Sequence, residues 1–376
     1  MRNTGNYYLN SFIPNPLPPA NPSLVLNEEV LKLFGEASFW LGNLNNIAKG
    51  LPDRKRFINA YVIKEALLSS EIEGIHTTLI DVFTKSINGS DKATKETQLV
   101  LNYIKALEVA QHLIKNEELP IVSRVILAAH EALMKGEGDK FSPGQYRKQS
   151  VRVGEFTPPP ASEVVKLMND LENYINQNTE LPSLIKAGLV HVQFETIHPF
   201  LDGNGRIGRL LIILMFMSSG LLDEPILYPS YYFKKNSAEY YLRLDRVRTH
   251  GDFEGWIAFY LTAITNSCIE AGNRAEVIQA QELILKASID NPDLTQFNKI
   301  RDTAHVVLNS LFQTPVFSIK QISIATGKSY NTIHSIITHF VELKWVIATD
   351  EKKRNKTYRF DAYLKLLEYD LLSKGR

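Results

Sequence analysis

Twelve consecutive residues, His-Pro-Phe-Leu-Asp-Gly-Asn-Gly-Arg-Ile-Gly-Arg at 198–209, constrain this chain more than any other stretch. The run that follows, 210–217, is wholly apolar and reads as a buried helix. The turn Asp202-Gly203-Asn204-Gly205 therefore opens onto a helix N-terminus. Unpaired backbone N–H groups and the positive end of the helix dipole make that place a ready phosphate site. Gly203 and Gly205 allow a ligand to come close, and Asn204 between them completes the cradle. Arg206 and Arg209 stand three apart and share one helix face. Two guanidinium groups beside an anion cradle favour a polyphosphate over a single carboxylate. His198, with an ordinary pKa of ~6.5, can accept a proton near neutral pH. Asp202 at the mouth of a phosphate site suits Mg²⁺, which takes one or two carboxylates together with phosphate oxygens.

The whole string matches the signature His-Pro-Phe-x-Asp-Gly-Asn-Gly-Arg-x-x-Arg at every fixed position, and the chain resembles Fic-domain protein adenylyltransferases along most of its length. That resemblance implies a helical core with the signature in a loop-helix turn. It implies that 146–160 resembles the family's flap, a β-hairpin beside the active site, with Val151, Arg152, Val153 and Gly154 as its strand. Tyr240 and Tyr241, followed by Gly251-Asp252, resemble the segment flanking the adenine pocket. The proline-rich start at 13–19 resembles a common N-terminal module of the family.

A second motif, Ser69-Ser70-Glu71-Ile72-Glu73-Gly74, fits the family's inhibitory pattern. Residues 53–72 read as a helix with Asp53 as N-cap and Gly74 as the stop. Glu71 and Glu73 then lie in the last turn, where the dipole disfavours a carboxylate by a few tenths to ~1 kcal/mol. A cation from elsewhere would relieve this. Glu71 is expected to be solvated. For Glu73 the resemblance implies a pairing with Arg209 that blocks the γ-phosphate of ATP, with Ser69 in the same inhibitory motif.

Length and composition exclude little. With 376 residues the chain has room for about two or three domains. Its formal net charge of +1 supplies no global attraction to nucleic acid or an anionic membrane. Cys268 is the only cysteine, so an intrachain disulfide is excluded, and it is expected to be packed. No secretory signal is evident, and 210–217 is far shorter than the ~20 apolar residues a membrane span requires. A cytoplasmic protein is the expectation.

Helical periodicity runs through most of the chain. One stripe is Val100, Ile104, Leu107 and Leu113. A second is Val122, Ile126, Ala129 and Leu133. A third is Val164, Leu167, Leu171 and Ile175, after a capping Ser162. Residues 181–197 read as the helix that delivers His198, and 256–273 as a helix holding Cys268. Residues 3–22 carry five prolines and read as extended. His130 and His191 are expected to pack or hydrogen-bond rather than bind metal. After 290 the pattern changes. Ser318 opens a short helix, Gly327 makes a turn, and Ser329 caps a second helix. Two strand-like runs, 345–349 and 356–360, follow, as in a winged helix-turn-helix. Lys344, Lys352, Lys353, Arg354, Lys356 and Arg359 oppose only Asp350 and Glu351 there. Residues 330–343 lack Lys and Arg, however, so nucleic acid is not the favoured partner over dimerisation or target docking.

The expected fold is all-α: a Fic-type helical bundle with a small β-hairpin flap, followed by a C-terminal winged helix-turn-helix domain. The divisions are 1–95 for an N-terminal helical module with the inhibitory helix, 96–290 for the catalytic core, and 291–376 for the winged-helix-like domain. The expected activity is transfer of AMP from ATP to a Ser, Thr or Tyr hydroxyl of a target protein, the chain itself included, with ATP and Mg²⁺ as cofactors and autoinhibition by Glu73. A homodimer is compatible with this reading, and no membrane partner is expected. The alternatives are a DNA-binding regulator with a nucleotide-sensing core, a related enzyme that removes AMP, and one that transfers another phosphate-containing group.

Overall fold

The computed structural model describes residues 4–8, 10–51, 53–88, 94–349 and 356–368. A short hairpin, β1 (Gly5–Tyr8) and β2 (Ser11–Pro14), leads into the helices α1 (Glu28–Gly50), α2 (Arg54–Ile72), α3 (Leu79–Asn88), α4 (Lys95–Lys115) and α5 (Ser123–Leu133). Then come α6 (Ala161–Asn176), α7 (Ser183–Ile197), α8 (Asn204–Ser218), α9 (Ser230–Lys235), α10 (Ser237–His250) and α11 (Phe253–Asp290). The last part holds α12 (Arg301–Gln313), β3 (Val316–Ser318), α13 (Ile319–Thr326), α14 (Tyr330–Glu342), β4 (Ile347–Ala348), β5 (Thr357–Arg359) and α15 (Asp361–Glu368).

Local chemistry explains where the key helices begin. Asp53 accepts from Arg56 N at 3.3 Å and opens α2, while Asp252 accepts from Gly255 N at 2.9 Å and opens α11. Ser318 and Gln321 form a reciprocal capping box at α13, and Ser329 caps α14. Ser162 does not cap α6. Pro160 occupies that position without a side-chain bond, since a fixed φ near −65° suits the helix entrance as well as a cap does. Helix α11 is longer than the apolar stretch containing Cys268 suggests, because its second half has a solvated face as well as a buried one.

Helices α7 and α8 are buried on nearly every side and form the centre of the bundle. Gly188 allows α11 to approach α7: a Cβ there would overlap the Tyr260 ring, and the Trp256 indole N–H donates to the Gly188 carbonyl at 2.8 Å. Helix α2 lies between this core and the C-terminal elements. Its Arg56 pairs with Glu282 of α11 and sits over the ring of Phe312 of α12, while Lys64 reaches the carbonyl of Leu367 in α15 at 3.2 Å.

In the C-terminal part, β5 lies between β3 and β4 and pairs antiparallel with both, Arg359 facing Val316 on one side and Ile347 on the other. Gly327, at φ +67°, turns α13 into α14. Of the basic residues near β4 and β5, Lys352, Lys353 and Arg354, together with Asp350 and Glu351, lie outside the described residues. Among the described residues, no helix is long and apolar enough to cross a membrane.

One expectation about strands is refined and one changes. The proline-rich start is a hairpin in part, with Gly5 facing Pro14 and Tyr8 facing Ser11. The flap is less regular than a hairpin of two strands. Its one β-bridge joins Val153 and Phe156 around the turn Gly154-Glu155, and Gly144, Gly154 and the prolines 158–160 leave no room for a longer ladder.

Candidate active site

Helix α7 ends at His198, whose backbone adopts the left-handed conformation (φ +51°, ψ +61°). A histidine there is strained unless its surroundings fix it. Arg147 does so. Its Nε donates to the His198 carbonyl at 2.8 Å, and its other nitrogens donate to the carbonyls of Ile197, Gln149 and Pro159. The Arg147 N–H also donates to the Pro199 carbonyl at 2.9 Å. One buried guanidinium thus joins the signature loop to both stems of the 146–160 segment.

The rest of the signature loop is held from behind. His130 stacks on Phe200 with centroids 3.7 Å apart, accepts at Nδ1 from Gly144 N, and so donates from Nε2 to the Asp202 carbonyl at 3.0 Å. Burial lowers the His130 pKa to about 4, which keeps this neutral tautomer in place. Asn204 spends its side chain on the loop: Oδ1 accepts from Phe200 N at 2.8 Å and Nδ2 donates to Phe200 O at 3.0 Å. The expected phosphate contact by Asn204 is therefore limited to its backbone. Gly203, the N-cap of α8, has φ +81° and lies against Leu133 and Met134, so the turn needs its missing Cβ twice.

The charged groups converge on this loop. The Asp202 carboxylate is 47% exposed, accepts from Gly203 N at 2.5 Å and lies 3.6 Å from Arg206 Nη2. Arg206 is buried, and its Nε and Nη1 have no partner among the described residues. Arg209 is buried too. Its Nε donates to Ser69 Oγ and its Nη2 to Ser69 O, both at 2.9 Å, and Nη2 also donates to Glu73 Oε1 at 2.6 Å. Burial works against the Arg209 charge, but the Glu73 carboxylate raises its pKa above the usual arginine range. Glu73 is the C-cap of α2, and Gly74 beyond it has φ +76°. Glu71 is not solvated as expected: it pairs with Lys234 of α9.

The His198 ring is neutral at pH 7, its pKa lowered to about 4 by burial, with the Glu195 carbonyl pulling the other way and Arg147 adding to the fall. Glu195, one turn earlier on α7, has its Oε1 enclosed without a hydrogen-bond partner among the described residues, and burial raises its pKa to about 7 against the attraction of Arg209. It presses on Gly208, where a Cβ would overlap its carboxyl.

Comparison with known proteins identifies this arrangement. The Fic/DOC family model matches residues 120–216, and the Fic/DOC N-terminal model matches 31–112. The chain carries a Fic domain. It is 29% identical over 178 residues to a probable protein adenylyltransferase of Aquifex aeolicus, 45% of this chain and 52% of that one. It is 31% identical over 163 residues to the protein adenylyltransferase Fic of Drosophila grimshawi, 43% of this chain and 31% of that one. The chain thus spans about half of the first relative and a third of the second. A Fic family protein of Desulfovibrio desulfuricans has a solved structure that superposes with a TM-score of 0.58 at 25% identity, covering 90% of this chain and 97% of that one. Fic-1 of Caenorhabditis elegans shares the fold at a TM-score of 0.54 and 21% identity, over 66% of this chain and 73% of that one.

The expected site residues fall into two groups. His198, Asp202, Gly203, Gly205, Arg206, Arg209, Ser69 and Glu73 come together. Tyr240 does not present its ring: it is 1% exposed and its hydroxyl bonds His191 Nε2 at 2.8 Å, whereas Tyr241 is 48% exposed and remains available. His191 is buried in the same aromatic cluster. Arg152 turns back on its own loop, bonding the Gly154 carbonyl at 2.9 Å and Glu155 at 3.1 Å. Arg147, His130 and Glu195 were not expected here. The only sequence sign of the first two lay in segments read as flap and as core helix.

Proposed function

We propose that this protein transfers AMP from ATP to a side-chain hydroxyl of a target protein, and that Glu73 holds the reaction low at rest. The observation that carries this reading is the buried pair Arg206 and Arg209 beside the N-terminus of α8, with His198 neutral at the loop mouth and Glu73 already bonded to one of the two arginines. Arg206 is buried with two nitrogens, Nε and Nη1, unbonded among the described residues and the half-exposed Asp202 carboxylate at 3.6 Å from the third, and a polyphosphate would accept from them.

The hydroxyl oxygen attacks the α-phosphorus, the bond to the β-phosphate oxygen breaks, and pyrophosphate leaves. The hydroxyl proton passes to His198, whose neutral ring leaves one nitrogen unprotonated to accept it. Arg206, the N–H groups at the start of α8 and a released Arg209 stabilise the charge on the phosphates. Asp202 would hold Mg²⁺. Its carboxylate is half exposed, and no cluster of three or more potential ligands exists among the described residues, so the ion must take its other ligands from phosphate and water, as Mg²⁺ does. The ion would neutralise phosphate charge. Tyr241 and residues 151–154 would border the nucleotide. Residues 1–95, 96–290 and 291–376 would serve as inhibitory module, catalytic core and winged-helix-like domain, the last for dimerisation or docking in preference to DNA. Removal of AMP by the same site is a second reading, favoured by the reach of the Glu73 charge to His198.

Incubation with α-labelled ATP and Mg²⁺ tests the proposal. His198→Ala should abolish label on protein while ATP affinity stays within a few-fold, because a general base acts mainly in the transition state. Retention of more than a tenth of the activity rejects His198 as the base. Loss of label from a pre-modified target with the wild type, but not with Glu73→Gly, would favour AMP removal.

A further inference from the structure

The tip of the flap is held by a residue that the proposed chemistry does not use. Arg248 stands in the last turn of α10, with its guanidinium carbon 4.1 Å from the centroid of the Phe156 ring. Its side chain is 12% exposed, Nη2 donates to Asp245 Oδ1 at 3.2 Å, and Nε is enclosed with no partner among the described residues. Phe156 closes the flap: it and Val153 exchange both backbone hydrogen bonds, at 2.8 and 2.9 Å.

The N-terminal hairpin completes the support. Phe12 N donates to Thr157 O at 3.0 Å, the Phe12 ring meets Phe156 edge-on at 6.3 Å, and Thr4 Oγ1 donates to the Arg248 carbonyl at 3.0 Å. A hairpin with one bridge cannot hold its own position in water. Fixed at its root by Arg147 and at its tip by Arg248, it can. These contacts cover the Thr157 side, whereas the opposite edge, 151–153, stays open and Val153 is 40% exposed. An extended peptide can pair with such an edge. Arg147 bonds both the His198 carbonyl and the flap carbonyls of Gln149 and Pro159, so the flap is tied directly to the residue that carries the imidazole.

We propose that Arg248 is a positioning residue for the protein acceptor: stacked on Phe156, it fixes the free edge of the flap relative to His198, so that an acceptor segment paired with residues 151–153 presents its hydroxyl to the imidazole. This rests on the AMP-transfer reading, and Arg248 acts through Phe156 without touching the reacting atoms.

The test uses the full chain carrying Glu73→Gly, with Arg248→Lys, Arg248→Gln or Phe156→Leu added, and a tagged His198→Ala copy of this chain as acceptor. Three quantities are read: the KM for that acceptor, the KM for ATP, and hydrogen exchange at the Val153 and Phe156 amides. A cation–π contact of this burial corresponds to about threefold to tenfold. All three variants should speed exchange at both amides and raise the acceptor KM by about that factor, with the ATP KM within twofold. Lysine keeps the charge but loses the planar stack, so it should not rescue. Phe156→Leu leaves Arg248 and Asp245 intact, which separates the stack from a general folding defect. Unchanged exchange overturns the proposal, and an equal rise in both KM values makes Arg248 a nucleotide contact instead. Hydrogen exchange needs no turnover: if the Glu73→Gly chain transfers no AMP to any copy, the AMP-transfer reading fails while exchange still decides whether Arg248 holds the flap.

Discussion

Helix α2 carries an arginine–glutamate pair at each end, and the two differ in what surrounds them. At its start, Arg56 and Glu282 meet at 2.5 Å with side chains 2% and 9% exposed, the guanidinium lying between the rings of Phe57 and Phe312. At its finish, Glu73 meets Arg209 at 2.6 Å, but its side chain is 33% exposed while that of Arg209 is 1%. The first pair is enclosed on both sides. In the second, the acid can leave for water, and the arginine keeps its two bonds to Ser69. Geometry alone does not separate a structural pair from a releasable one, whereas the environment of the weaker-held partner does.

Breaking the enclosed pair should have the largest effect. Arg56→Ala leaves Glu282 buried with Lys286 as its remaining ion-pair partner among the described residues, so a loss toward the lower end of ~3–5 kcal/mol is expected by chemical denaturation. The double change Arg56→Met with Glu282→Leu should recover most of it. If Arg56→Ala costs under 1 kcal/mol, the two ends are alike and the comparison fails.

Glu73→Gly should do the opposite: little loss of stability, below ~1 kcal/mol, with auto-labelling raised at least about tenfold, or ~1.4 kcal/mol of barrier. Adding Arg209→Ala should remove most of that gain, because the freed arginine is then missing. Equal labelling by Glu73→Gly and wild type would reject the inhibitory role.

Asp53→Ala removes the cap of α2 and its bond from Gln313, and should cost ~1 kcal/mol in thermal unfolding with labelling unchanged. A rise in labelling would mean that fraying at the start of α2 reaches Glu73.

The smallest effect is electrostatic. Glu73 helps to raise the Glu195 pKa and Arg209 opposes it, so Glu73→Gly should lower it from about 7, visible by carboxyl NMR. In the wild type, the raised pKa gives stability that is present below pH 4.5 and lost as the pH rises through about 7. Glu195→Gln should lack that loss. Parallel pH–stability curves for the two proteins would show that Glu195 titrates normally.

Much of the site was legible because its signals are local. The signature places its donors within twelve residues, and α2 has a cap at Asp53 and a stop at Gly74, so both ends of the Glu73 helix could be located. The pairing with Arg209 came from resemblance, since no local pattern joins residues so far apart in the chain. Arg147 and Arg248 escaped notice for a similar reason. The first bonds carbonyls about fifty residues away and the second stacks on a loop ring, and neither partner leaves a periodicity. Asn204 looked like a phosphate ligand because its type suits one, while its actual partner, the Phe200 backbone, is set by the tightness of the loop. The β1–β2 hairpin was hidden by prolines that sit at its end and beyond.

Gly205 has a consequence for how such a chain can change by mutation. A Cβ there would overlap Glu73 Oε1 and crowd Arg209 Nη1, so the resting contact and the phosphate cradle depend on the same bare backbone. Any substitution at Gly205 that expels the glutamate also narrows the place a nucleotide needs. If Glu73 inhibits as proposed, escape is closed to inheritance through the signature and open at the end of α2, where Glu73 can be replaced without altering one residue of the signature string.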